Sequence, residues 1–118
     1  MRAALAIGLA ALVFAWPAAA GTSGYSAVWL GQARCVHLKE GSWRANTGNG
    51  YFGGLQFAAK TWLRAGGKPD PAFRHPGDPA YPFRASVHEQ LRRAWILWRR
   101  DGGSWRSWGA VGAACGRI

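Results

Sequence analysis

Glu40 is the residue of this sequence whose setting best suits acid–base chemistry. Apolar residues repeat at helical spacing from Tyr25 onward and predict a helix ending at Glu40, with one side formed by Trp29, Ala33 and Val36. Glu40 continues that side in the last turn of the helix. Burial and the negative end of the helix dipole both disfavour a charged carboxylate there. A carboxyl group that keeps its proton near neutral pH can act as a general acid.

Two other interpretations of Glu40 remain open at this level. Its carboxylate can instead turn to solvent and pair with Lys39 or Arg44. His37 lies three residues earlier on the same helix, a spacing that two metal ligands can use, but the sequence offers them no third or fourth ligand. We therefore expect neither a metal nor a cofactor.

Residues 46–57 form a stretch rich in glycine, asparagine and aromatic side chains. Asn49 and Gly50 are a strong signal for a hairpin turn, and the following Tyr51 and Phe52 are strand formers. The stretch lacks the Gly-Lys-Ser/Thr ending of a phosphate-binding loop. Taken alone, it is most simply a turn.

A short second helix is predicted from Ala58 to Ala65, with Trp62 and Leu63 facing inward. Residues 66–84 are rich in proline and glycine and predict an irregular surface loop.

A third helix is predicted to begin after Ser86. Ser86 and Glu89 have the spacing of a capping box, in which each side chain bonds the other residue's backbone. The helix then carries an apolar stripe composed of Val87, Leu91, Ala94, Trp95 and Trp98.

The N-terminal end has the features of an export signal. Arg2 precedes an apolar run from Ala3 to Trp16, and small residues at 18–20 form a cleavage site. We predict a signal peptide over residues 1–20, with a retained anchor as the alternative. Residues 21–118 then form one domain.

Cys35 and Cys115 are the two cysteines of the chain. Their wide separation and the lack of histidine at ligand spacing make a zinc site a poor interpretation. In an exported protein a disulfide is favoured, and in the chain-entropy model a loop of this length stabilises the fold by about 4 kcal/mol.

The chain is strongly basic, with 15 Lys or Arg against 5 Asp or Glu and a net charge of +10. This charge favours polyanions such as nucleic acid, anionic lipid or the acidic bacterial wall, without choosing among them. Eight tryptophans add stacking surfaces, which also suit single-stranded nucleic acid.

Three strings together resemble the transglycosylase-like domain of the resuscitation-promoting factors. They are E-G-S-W at 40–43, N-T-G-N-G-Y at 46–51 and G-G-L-Q-F at 53–57. Trp62 with Gly66-Gly67, Ser86 with Glu89-Gln90-Leu91, Trp108 and Cys115 match the rest of the domain, so that the resemblance covers about residues 27–116.

The resemblance implies a small lysozyme-like fold of the α+β class, mainly helical, with one disulfide between Cys35 and Cys115. It implies action on the β-1,4 bond between N-acetylmuramic acid and N-acetylglucosamine, with Glu40 as the acid. The substrate groove would be lined by Asn46, Thr47, Asn49, Tyr51 and Gln56, with Trp62 close by.

One departure from the family concerns the spacing around the acid. In the best-known members the glutamate directly follows the first cysteine and lies five residues before the tryptophan. Here Glu40 lies five residues after Cys35 and three before Trp43. This difference affects the expected geometry of the groove.

Most glycosidases use two carboxylates, and the second is not evident here. Asp70 and Asp78 lie in the proline-rich loop, Glu89 begins a helix and Asp101 ends one. A single acid suits a lytic transglycosylase, in which the C6 hydroxyl of the substrate attacks the anomeric carbon. Hydrolysis by water, as in a muramidase, remains open.

The resulting expectation is a secreted, wall-associated monomer that cleaves peptidoglycan. We expect no nucleic-acid partner and no stable membrane insertion after signal cleavage. A non-catalytic wall-binding module is one alternative. A cationic protein that binds nucleic acid or membranes is a less favoured one, and its affinity would be governed by salt.

Overall fold

A computed structural model describes residues 24–68 and 82–118. Its helices are α1 (Ala27–Glu40), α2 (Ala59–Arg64), α3 (Val87–Arg100) and α4 (Gly109–Cys115), and its strands are β1 (Tyr51–Phe52) and β2 (Phe57–Ala58). Two 3₁₀ turns lie at Pro82–Arg84 and Arg106–Trp108. The prediction of a mainly helical α+β domain is confirmed. The predicted signal peptide, residues 1–20, and most of the predicted loop over 66–84 lie outside the described residues.

Helix α1 ends at the residue that the sequence predicts. The hydroxyl oxygen of Ser26 accepts a hydrogen bond from the backbone N–H of Trp29 at 3.1 Å, which caps the N-terminus of the helix. Gly41 follows the last residue with a φ of 156°, and its N–H donates to the carbonyl of His37. This C-terminal stop leaves Glu40 at the end of α1.

The glycine-rich stretch forms two successive turns. Asn46 and Phe52 pair across the first, which contains the predicted Asn49-Gly50 turn. Strands β1 and β2 pair antiparallel across the second, with Phe52 opposite Phe57. Residues 46–57 therefore fold back on themselves twice over a short length of chain.

Helix α2 buries one of the two residues predicted to face inward. Trp62 is 2% exposed, but Leu63 is 44% exposed, so the prediction for Leu63 is wrong. Neighbouring residues on a helix point about 100° apart, and a helix of six residues packs only one side against the core. The indole of Trp62 occupies that side, packed edge-on against Phe57.

Helix α3 begins with half of the predicted capping box. The Ser86 hydroxyl accepts from the N–H of Glu89 at 3.1 Å. The Glu89 carboxylate instead pairs with Arg93, one turn further along α3, at 2.6 Å. All five residues of the predicted apolar stripe lie in the core or pack against it: Val87, Leu91, Ala94, Trp95 and Trp98.

The predicted disulfide joins α1 to α4. Cys35 and Cys115 are bonded, with their Cα atoms 5.6 Å apart and a sequence separation of 80. Trp29 of α1 also stacks on Trp105, which precedes α4. The C-terminal part of the chain is thereby held against the helix that carries Glu40. Across the described residues, no helix combines the length and apolar character that crossing a membrane requires.

Candidate active site

A cavity of about 420 Å³ lies at the end of α1, between the glycine-rich stretch and the segment that leads into α4. Its lining residues are Glu40, Asn49, Tyr51, Gln56, Ser107, Trp108 and Gly109. We call this space the acid cavity. The segment at residues 107–109 is distant in sequence from the other two, so the cavity exists only in the folded chain.

Glu40 brings a carboxyl group to the acid cavity. Its partial burial raises the pKa of the carboxyl from its ordinary value of 4.5, because a charged carboxylate loses solvation there. Within residues 24–68 and 82–118, neither Lys39 nor Arg44 forms an ion pair with it. The solvent-paired interpretation of Glu40 is therefore not what the structure shows. Its environment therefore favours the protonated form of the carboxyl more than water does.

The amides of Asn49 and Gln56 are held in place by local hydrogen bonds. The Asn49 side-chain oxygen accepts from the N–H of Tyr51 at 3.0 Å, and its amide group donates to Gln56 Oε1 at 3.4 Å. The Gln56 amide in turn donates to the carbonyl of Gly53 at 3.0 Å. Gln56 also adopts a positive φ of 51°, which is uncommon for a residue other than glycine. These bonds orient both amides before any ligand arrives.

Two aromatic rings also line the acid cavity. Tyr51 is 51% exposed, so much of its ring is accessible to a ligand. Trp108 is partly buried, and its indole N–H donates to the carbonyl of Leu55 at 2.7 Å. Tyr51 thus offers an accessible ring, whereas the ring of Trp108 is anchored to the backbone.

The structure brings together four of the seven residues predicted for catalysis and substrate binding: Glu40, Asn49, Tyr51 and Gln56. Asn46 and Thr47 are exposed on the first turn and do not line the acid cavity. Trp62, predicted to lie close to the groove, does not line the acid cavity. Its indole is buried and donates to the carbonyl of Lys68 at 2.9 Å, because α2 directs it into the core.

The sequence-based set of site residues missed Ser107, Trp108 and Gly109. Trp108 is one of the residues that match the rest of the family's domain, which was a usable signal. Ser107 and Gly109 carried no comparable signal. They reach the acid cavity because the 3₁₀ turn at Arg106–Trp108 and the start of α4 pack beside the end of α1.

His37 has a structural role at the base of the site. Its ring stacks on Trp43 with centroids 4.0 Å apart, and its Nδ1 lies 2.9 Å from the carbonyl oxygen of Gly54. A carbonyl only accepts, so Nδ1 carries the proton of the neutral ring. Burial lowers the pKa of His37 below its ordinary value of 6.5. In the part of the chain that the structure describes, no group of three metal-ligating residues forms around it.

The other described carboxylates are occupied elsewhere. Glu89 pairs with Arg93 on α3, and Asp101 accepts from the Ser107 hydroxyl at 2.6 Å. Neither lines the acid cavity. Asp70 and Asp78 lie outside the described residues. Among the residues that the structure describes, Glu40 is thus the one carboxylate at this cavity.

A comparison with protein families matches residues 23–111 to a model described as a transglycosylase-like domain. The chain is 38% identical over 101 residues to a protein named resuscitation-promoting factor Rpf from Micrococcus luteus, covering 86% of this chain and 37% of that protein. It is 40% identical over 72 residues to resuscitation-promoting factor RpfC from Mycobacterium tuberculosis, covering 61% of this chain and 50% of that protein.

A third relative extends the match along the chain. Resuscitation-promoting factor Rpf1 from Corynebacterium glutamicum is 34% identical over 112 residues, covering 95% of this chain and 50% of that protein. The chain thus spans between about a third and a half of the length of these three curated relatives.

Proposed function

The chain belongs to the transglycosylase-like domain family of the resuscitation-promoting factors, and from this we propose that it cleaves the glycan strands of peptidoglycan with Glu40 as the catalytic acid. The bond cleaved is the β-1,4 link between N-acetylmuramic acid and N-acetylglucosamine. The protein would act outside the cell, at the wall, as a monomer and without a cofactor.

The observation that carries this proposal is the placement of Glu40. It is the one carboxylate among the described residues that lines the acid cavity, and burial raises its pKa. General acid catalysis at neutral pH needs a group that is still protonated and within reach of the leaving oxygen. The raised pKa of Glu40 and its position on the lining of the acid cavity support this role.

A single carboxyl supports an intramolecular reaction. Glu40 donates its proton to the glycosidic oxygen as the bond to the anomeric carbon breaks. The C6 hydroxyl of the same N-acetylmuramic acid then attacks that carbon, and the Glu40 carboxylate takes the hydroxyl proton. The glutamate is regenerated, and the product carries a 1,6-anhydro-muramic end. No second carboxylate and no water molecule are consumed.

The remaining lining residues suit a carbohydrate. Aromatic rings such as Tyr51 and Trp108 offer apolar faces against which a sugar ring can pack. The pre-oriented amides of Asn49 and Gln56 offer donors and acceptors to hydroxyl groups. An ordered cavity of this kind reduces the entropy that a flexible glycan strand loses on binding.

Purified peptidoglycan provides the test, with soluble products identified by mass spectrometry. Wild-type protein should release fragments with 1,6-anhydro ends, which weigh one water less than hydrolysis products. The Glu40→Gln variant should fold and still bind insoluble peptidoglycan, but its turnover should fall by about 10²–10⁴-fold. Glu89→Gln is the matched control, because Glu89 lies on α3 and contacts Arg93 instead of the cavity.

Each alternative has its own signature in the same experiment. Products with reducing ends would be consistent with Glu40 as the acid but would identify the protein as a muramidase. Binding without soluble products would indicate a non-catalytic wall-binding module. Binding that is indifferent to the carbohydrate and disappears with added salt would indicate a general polyanion-binding protein. A fully active Glu40→Gln variant would contradict the central proposal.

A further inference from the structure

A second cavity lies beside the first half of α1, away from the acid cavity. Its volume is also about 420 Å³, and its lining comes from α1, the end of α3, the segment before α4, and α4 with the residues that follow it. We call this space the basic pocket. It shares no described lining residue with the acid cavity. Its last lining residue on α1 is Gln32, eight residues before Glu40 and so about 12 Å from it along the helix axis.

The aromatic lining of the basic pocket is held in place by internal contacts. Trp29 stacks on Trp105 with ring centroids 5.5 Å apart, and both side chains are almost completely buried. Trp105 donates its indole N–H to Gln32 Oε1 at 2.7 Å, and the Gln32 amide donates to two backbone carbonyls after α4. Trp98 is only partly buried, so that some of its surface is accessible to a ligand.

The polar groups of the basic pocket are mainly hydrogen-bond donors. Arg117 is exposed and forms no ion pair with a described residue, and the exposed Arg106 approaches Asp101 only at 3.5 Å. The hydroxyl oxygens of Ser26 and Ser104 accept backbone N–H groups, while their hydrogens find no acceptor in the described part of the chain. None of the described lining residues is acidic. Two guanidinium groups and two free hydroxyl donors suit a ligand that carries carboxylates.

Two buried donors add a second observation. The indole N–H groups of Trp29 and Trp98 are buried and have no acceptor among the described residues. Both tryptophans line the basic pocket. A buried donor without an acceptor is unfavourable. The backbone carbonyls of a peptide are acceptors of the kind that these groups lack.

We propose that the basic pocket binds the peptide stems of peptidoglycan through their carboxylates and thus holds the wall at a second place outside the acid cavity. Its volume lies within the range of about 300–1,000 Å³ that is usual for sites of small ligands. The carboxylates pair with Arg106 and Arg117, and the apolar side chains of the stem pack against Trp98. A polyol phosphate chain has the charge but lacks apolar groups for the aromatic lining. This inference rests on the proposed function, which makes peptidoglycan the substrate, and adds a binding site to it.

Soluble tetrapeptide stems, released from purified peptidoglycan by an amidase, provide the probe for calorimetric titration. They should bind wild-type protein, and conversion of their carboxylates to amides should weaken binding by about 10-fold or more, since one bond to a charged group contributes about this factor. The double variant Arg106→Gln, Arg117→Gln should weaken binding of the unmodified stems similarly. The matched control is Arg34→Gln, Arg92→Gln, which removes the same charge from exposed residues that line neither cavity.

A second pair of variants fills the pocket at constant charge. Ala113→Phe places a ring in the basic pocket from the exposed side of α4 and should weaken binding of the stems by about 10-fold. Ala110→Phe is its control, because Ala110 is exposed on the same helix and lines neither cavity. With soluble strands that carry stems, Ala113→Phe should raise KM at unchanged kcat. With strands freed of their stems, it should change neither constant.

The outcomes separate this proposal from the proposed function. Cleavage of peptidoglycan without any binding of the stems would overturn the basic pocket and leave the enzyme standing. Equal effects of each variant and its control would overturn the basic pocket as well. Tighter binding of poly(glycerol phosphate) than of the stems would assign the pocket to phosphate polymers and overturn the proposal. Binding of the stems without cleavage of any strand would support the basic pocket and contradict the proposed function.

Discussion

Trp108 donates its indole N–H to the backbone carbonyl of Leu55 at 2.7 Å, across 53 residues of sequence. Leu55 is completely buried, so no water is available to replace this donor. Trp108 leads into α4, and Leu55 belongs to the turn that also presents Gln56. The bond therefore joins two of the three segments that form the acid cavity.

Loss of this bond should be measurable as a loss of stability. Trp108→Phe keeps an aromatic ring but removes the N–H, leaving a buried acceptor unsatisfied at a cost of about 1–3 kcal/mol. Trp98→Phe is the matched control, because the Trp98 indole N–H has no partner among the described residues. Denaturant unfolding should show Trp108→Phe to be the less stable of the two. Equal stabilities would show that the bond contributes nothing.

The raised pKa of Glu40 predicts a pH-dependent effect of its removal. The folded chain binds the Glu40 proton more tightly than the unfolded chain does, so this residue lowers stability as the pH rises above 4.5. Glu40→Gln should therefore be more stable than wild type at pH 7, and the difference should vanish below about pH 4. Thermal unfolding across this range measures the difference. A variant less stable than wild type at pH 7 would contradict the prediction.

His37 should have the opposite dependence on pH. Its pKa is lowered in the folded state, so the unfolded chain takes up the proton first as the pH falls below 6.5. The neutral ring therefore contributes its full stabilisation above pH 6.5. This contribution decreases as the pH falls toward the lower pKa that His37 has in the folded state.

His37→Phe keeps the stacking on Trp43 but removes the hydrogen bond to the buried Gly54 carbonyl, at a cost of about 1–3 kcal/mol at pH 7.5. Between pH 7 and pH 5, the free energy of unfolding should also fall less for the variant than for wild type. Denaturant unfolding at several pH values tests both points. An unchanged pH profile would assign the acid sensitivity to other groups.

Gln90 should be one of the least replaceable residues of α3. Its side chain is fully buried, and its oxygen accepts from the N–H of Gly54 at 2.9 Å. Its amide group donates to the carbonyls of Trp43 and Ala85, both at 3.0 Å. These three bonds hold the turn after β1 and the loop after Glu40 against α3.

Gln90→Met has a similar shape and satisfies none of the three backbone groups. Each unsatisfied buried group costs about 1–3 kcal/mol, so the free energy of unfolding should fall by at least about 2 kcal/mol. Arg92→Met is the control, because Arg92 is exposed on the same helix. Denaturant unfolding of the two variants measures the difference. Similar losses in both would show that the Gln90 network is dispensable.

The local features of the chain could be predicted because their causes lie within a few residues of one another. The caps at Ser26 and Ser86 each depend on an N–H three residues later, and the end of α1 depends on Gly41 immediately after it. Two cysteines allow only one intramolecular disulfide. The proposed acid, Glu40, could be selected from an apolar stripe, a helix end and the strings around it.

The composition of the acid cavity depended on contacts between distant segments. Ser107 and Trp108 reach the cavity because the segment before α4 packs beside the end of α1. No local pattern within residues 105–109 predicts this contact. Trp62 is buried and Leu63 exposed because only one side of this six-residue helix packs against the core. Local spacing specifies which residues share a side of an element, but only packing determines what that side meets.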